Sequence, residues 1–87
     1  MKLSKDFVIH KNEKETLLVP VGNAGWAGVV RLNDTAADIV EILVSGAESV
    51  DAIVEKLKKQ YDADESEFKA DAEEFIASLR QIEAIVD

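Results

Sequence analysis

Residues 29–43 read VVRLNDTAADIVEIL, and a change of period inside them decides the fold. Up to Leu32 the residues alternate. Val30 and Leu32 fall on one side and Val29 and Arg31 on the other, the period of two of a β-strand. Beyond them Ala36, Ile39, Val40 and Leu43 recur at i, i+3, i+4 and i+7, one face of a helix. Asn33 and Asp34 stand at the change. Both are N-cap residue types, and the charge of Asp34 also suits the positive end of a helix dipole. The stretch therefore predicts a strand over residues 28–32 that passes into a capped helix with almost no loop. Ser45-Gly46 ends that helix, with Gly46 able to take the left-handed conformation favoured just past a helix end.

Towards the N-terminus two more strands are predicted. Residues 7–10 place Phe7 and Ile9 on one face, and residues 17–19 form a short apolar run stopped by Pro20, which cannot donate to a ladder. Residues 11–14, KNEK, supply the polar turn between them, and the Gly-rich segment VGNAGWAG, residues 21–28, reads as a loop.

Towards the C-terminus two more helices are predicted. One follows the N-cap Ser49 with the stripe Val50, Ile53, Val54 and Leu57, extended by Tyr61. The other begins near Asp64, where Asp64 and Glu67 resemble a capping box. Its stripe is Phe68, Ala72, Phe75, Ile76, Leu79 and Ile82. Ile85 and Val86 are expected to pack back onto the rest. Three strands followed by three helices make an α+β domain, and residues 1–87 are too few for more than one ordinary domain.

The chain has 87 residues, no cysteine and a net charge of −8. Without cysteine it has neither disulfides nor a thiolate metal site. No apolar run approaches the ~20 residues that span a bilayer, and the N-terminal residues turn polar too soon for a signal peptide. A cytoplasmic location is the expectation. The charge is uneven: residues 1–33 hold five Lys/Arg and three Asp/Glu, residues 34–87 five and fifteen. The acidic part repels phosphate backbones. It reads either as solvated helix faces or as a surface that attracts a basic partner.

Catalytic readings fail one by one. His10 is the only histidine and sits on the outward side of its predicted strand with no nucleophile or carboxylate set beside it. Acid pairs such as Glu73 with Glu74 and Glu65 with Glu67 fall on solvated faces, where nothing shifts a pKa for general acid work. No phosphate loop, dinucleotide fingerprint or metal-ligand spacing is present. Ser49 at a helix start resembles the modified serine of an acyl carrier protein, but the Asp-Ser-Leu triplet is missing and the first 32 residues are not helical. The alternative of a winged-helix nucleic-acid binder rests on Lys56, Lys58 and Lys59. Asp51 and Glu55 share their helix, and the following helix is acidic, whereas DNA readers cluster cations on one face. What remains is a non-catalytic binding module. A three-stranded sheet has two edges, and an extended peptide can add to either as a further strand.

The same residues resemble a known family. A hydrophobic strand ending in Leu-Asn, then Asp-Thr-Ala-Ala and an apolar helix, is similar to the signature region of the PqqD family, named for pyrroloquinoline quinone synthesis protein D. Residues 45–62, SGAESVDAIVEKLKKQYD, resemble its next segment, and residues 71–87, DAEEFIASLRQIEAIVD, its last helix and closing apolar pair. One departure stands out. The family often has Gly just before that pair, where this chain has Glu83 and Ala84, so the last helix could run further here.

The resemblance implies a winged helix-turn-helix-like fold: a three-stranded antiparallel sheet followed by three helices, with no cofactor or metal. It implies recognition of the leader segment of a ribosomally made precursor peptide, delivered to a modifying enzyme, often a radical SAM enzyme; the sequence leaves monomer and homodimer both open. By the same resemblance the leader docks as a strand on Gly28, Val29, Val30, Arg31 and Leu32. The last helix, through Asp71, Phe75, Ser78, Leu79 and Ile82, walls the groove. Leu32, Asn33 and Thr35 read more simply as core, cap and first-turn residues.

Overall fold

Asn33 acts as the alternation predicts. In the computed structural model, which describes residues 1–22, 28–61 and 64–87, its Oδ1 accepts the Ala36 N–H at 2.8 Å, which caps helix α1 (Asp34–Ser45). Ser49 caps α2 (Val50–Lys58) in the same way, through the Ala52 N–H at 3.1 Å. Asp64 caps α3 (Glu65–Gln81), accepting from the Ser66 N–H and hydroxyl at 2.8 and 2.6 Å. Those bonds hold the Asp64 carboxyl below the usual range. Asn33→Ala is expected to lower the free energy of unfolding by ~1 kcal/mol. An unchanged denaturation midpoint would leave Asp34 as the cap.

The strands are β1 (Lys2–Leu3), β2 (Phe7–Lys11), β3 (Thr16–Pro20), β4 (Val30–Leu32) and β5 (Ile85–Val86). The sheet β2-β3-β4 is an antiparallel meander, so β2 and β4 are its edges. Three helices follow it, giving the expected α+β order. Phe7, Leu18 and Leu32 from the sheet meet Ile39, Val40 and Leu43 of α1, Ile53, Val54 and Leu57 of α2, and Phe68, Ala72, Ile76 and Leu79 of α3 in one buried core. Tyr61 closes α2 against α1. Its hydroxyl donates to Asp38 Oδ2, and this bond raises its pKa to about 12.

Two strand ends differ from expectation, and Pro20 explains both. Backbone bonds from Asn12 N–H to the Glu15 carbonyl (2.9 Å) and from Val21 N–H to the Asp6 carbonyl (2.7 Å) set the phase of the β2–β3 ladder. Residues 15, 17, 19 and 21 therefore turn their backbone groups to β2, and 16, 18 and 20 turn theirs to β4. Pro20 has no donor to lose on the β2 side, so β3 continues through it instead of stopping at Val19. On the β4 side the pair after Leu18–Val30 would need the missing Pro20 N–H. Accordingly β4 begins at Val30 rather than Gly28. Most of the predicted Gly-rich loop, residues 23–27, lies outside the described residues, as does Asp62 of the matched segment.

The last helix does not run on. It stops at Gln81, with Glu83 N–H bonded to the Arg80 carbonyl at 3.0 Å and Ala84 N–H to the Leu79 carbonyl at 2.9 Å. This is a Schellman ending with Glu83 at C′, the position that favours glycine, and Glu83 has φ +60°. The turn sends Ala84 and Ile85 into the core and lets β5 pair with β1. Left-handed backbone costs an L-residue ~1–2 kcal/mol, against roughly 0.5–1 kcal/mol of extra chain entropy for glycine. Glu83→Gly is therefore expected to stabilise the fold by up to ~1 kcal/mol in chemical denaturation. A destabilised variant would mean that the Glu83 side chain holds the turn.

At the other predicted glycine stop, Gly46 has φ +97° and ψ 146°. This is positive-φ backbone open to glycine but outside the left-handed helical well that was expected. A Cβ there would lie 3.2 Å from Lys2 Cε.

Candidate functional site

The ladder phase also fixes what the free edge of β4 offers. The register Thr16↔Leu32 and Leu18↔Val30 pairs the residues of β3 that face β4 with Val30 and Leu32. Those two spend their backbone groups inside the sheet. Arg31 turns its N–H and C=O to the open side. The side chains follow the other alternation: Leu32 is buried, Val30 half-buried, Arg31 exposed and Val29 55% exposed. The Arg31 guanidinium lies 3.3 Å from Glu15.

A groove of about 440 Å³ runs between the start of α1, where Asn33 directly follows the last residue of β4, and α3. Asn33, the cap of α1, and Thr35, Ala36 and Ile39 within it line one side, and Phe68, Asp71, Glu74, Phe75 and Ser78 of α3 the other. Ile39 and Phe68 are buried floor residues, Phe75 is half-buried, and Asp71, Glu74 and Ser78 are exposed along one wall. The Ser78 hydroxyl donates to the Glu74 carbonyl at 3.1 Å. Among the described residues β4 has a partner on one side only, and the groove starts one residue past its end. An extended chain can bond to such an edge through its backbone and seat alternate side chains in a groove.

Of the residues named from sequence, Asp71, Phe75 and Ser78 come together on this groove. Val30, Arg31 and Leu32 form the strand beside it, and Gly28 and Val29 precede that strand without belonging to it. Leu79 differs. It is 1% exposed, a core residue rather than a groove surface. Ile82 is the half-buried C-cap of α3 and lies outside the groove lining. The α1 contribution was missed, although Asn33 and Thr35 do line the groove besides starting the helix. Ala36 was the available signal, because a small residue on the stripe leaves room where two helices flank a gap.

His10 is exposed on the outer face of β2. Among the described residues no group of three or more His, Cys, Asp or Glu is placed to hold a metal ion. Among them, too, no helix is long and apolar enough to cross a membrane.

The chain is similar to known proteins in sequence pattern and in fold. A family model described as "Coenzyme PQQ synthesis protein D (PqqD)" matches residues 15–85. No curated protein sequence matches the chain. Among solved structures, "TbiB1 in Complex with the TbiA(beta) Leader Peptide" has 21% identity and a TM-score of 0.75 over 100% of both chains. "Lasso peptide synthetase B1 complexed with the leader peptide" has 22% identity and a TM-score of 0.71, covering 92% of this chain and 89% of that one. At such identities the likeness is one of fold.

Proposed function

The chain belongs to the PqqD family, and from that premise we propose that it is a non-catalytic peptide-binding module. It recognises the leader segment of a ribosomally synthesised precursor peptide and presents it to a modifying enzyme such as a radical SAM maturase. The leader adds as a strand to the open side of β4 and lays alternate side chains into the groove between α1 and α3.

The observation that carries this reading is the open backbone side of Arg31 in β4 together with an apolar-floored groove that starts at Asn33, one residue past that strand. Main-chain bonds along such an edge give affinity, and the groove gives selectivity. Two proteins that share the fold are described in complex with leader peptides, which supports the same use here. The acidity of α3 weighs against nucleic acid as the ligand.

The test is isothermal titration with the leader of a short peptide encoded beside this gene, in parallel with a gel shift on mixed DNA. Saturable binding of the leader and no shift of DNA is the expected result. A salt-sensitive DNA shift without peptide binding would replace this reading with a winged-helix nucleic-acid binder.

A further inference from the structure

We propose that the groove selects a basic segment: an extended peptide with a bulky apolar side chain and a lysine or arginine within two residues of it. This rests on the peptide-binding reading above and adds the chemistry of the peptide.

Glu67, Asp71 and Glu74 are exposed at i, i+4 and i+7 of α3, one row along the helix surface. Asp71 and Glu74 of this row line the groove together with Phe68 and Phe75, so the apolar floor and the acidic wall belong to one helix face. The basic side chains of α3 are engaged elsewhere. Lys69 pairs with Asp51 at 3.3 Å, and Arg80 pairs with Asp87 at 2.9 Å. The cation of the strand edge, Arg31, is met by Glu15. On the opposite wall Asn33, Thr35, Ala36 and Ile39 carry no charge. An incoming chain therefore meets negative charge along the α3 wall and a neutral α1 wall.

The dimensions agree with this arrangement. Successive groove-facing residues of an added strand are ~6.6–6.8 Å apart, and Asp71 stands roughly 4.5–6 Å along the helix axis from Glu74 and Phe75. A peptide whose apolar side chain seats on Phe68 and Ile39 thus places its neighbours at the acidic row. Matched charge at such a surface chiefly sets partner choice and encounter rate. The excess of acids in residues 34–87, fifteen against five Lys/Arg, has a specific use on this face.

The test is selection of a displayed library of random dodecapeptides on the immobilised full chain, beside the same selection on Asp71→Asn/Glu74→Gln. Both substitutions are at exposed positions, and circular dichroism confirms their folding. Wild type should enrich peptides with a large apolar residue flanked by lysine or arginine, with basic residues several-fold above input. The double variant should keep the apolar preference and lose the basic one. Raising salt from 50 to 300 mM should weaken the wild-type winners several-fold more than it weakens the same peptides on the variant. Apolar peptides enriched without basic flanks, or a basic preference unchanged in the variant, would overturn this inference and leave the peptide-binding reading standing. No enrichment over bare resin would overturn both.

Discussion

Leu57→Ala should lower the free energy of unfolding by roughly 2–5 kcal/mol, the usual range for truncating a fully buried leucine. Leu57 is 0% exposed, near the end of α2, against a core drawn from all three helices and the sheet. The methyl groups removed leave a hole lined by elements that cannot close on it without moving one another. For a chain of 87 residues with a stability of ~5–10 kcal/mol, that loss is near half. The melting temperature should fall by roughly 10–40 °C. Lys56→Ala, one residue away and exposed, is the control and should change stability by ~0.5 kcal/mol or less. Melting of Leu57→Ala within a few degrees of wild type would take Leu57 out of the core. Phe75 shares the stripe pattern but should cost less than Leu57, because it is half-buried and borders the groove. Periodicity assigned both residues to one core and could not see that the groove cuts across the α3 stripe.

That contrast shows which parts of the structure local sequence determines. Caps at Asn33, Ser49 and Asp64, and the switch from period two to period 3.6, depend on residues within four positions of each other, so the helices were legible. The β1–β5 pair was not. Each strand has two residues, too few for a period, and their pairing joins the two ends of the chain. Buried Ser4, whose backbone N–H donates to the Ala84 carbonyl at 2.7 Å and whose hydroxyl accepts the Asp6 N–H at 3.1 Å, reads in sequence as an ordinary polar residue. The stop of α3 was ambiguous for a different reason. A glutamate at C′ gives no signal, and only the closing bonds to Arg80 and Leu79 reveal it. The β4 edge was legible as a strand, but its length was not, since the limit is set by Pro20 across the sheet. The groove was half legible. Resemblance pointed to α3, whereas the α1 wall follows from how two helices flank one gap.

The ladder phase turns the strand-addition reading into a choice between two adjacent residues. Arg31 directs its N–H to the open edge, while Val30 directs its own to β3. Proline removes the donor and fixes φ near −65°, and edge strands tolerate it where the lost N–H faces solvent. Arg31→Pro should therefore leave the helices folded and still abolish leader binding. The lost hydrogen bond, left unmet on the peptide carbonyl, costs ~1–3 kcal/mol, which is about 5–150-fold in affinity. The ring also fills the space where the added strand must lie. Val30→Pro breaks a β3–β4 bond instead and should lower stability along with binding. Arg31→Ala isolates the side chain. It removes the exposed pair with Glu15, a contact of a kind worth 0–1 kcal/mol, keeps the backbone donor, and should bind the leader within a few-fold of wild type. Titration of the leader peptide into each variant, with circular dichroism on the same samples, separates the cases. An Arg31→Pro protein that is folded and binds like wild type would rule out addition at β4. The groove alone would then have to hold the leader, and a helix laid between α1 and α3 would become the better description of the complex.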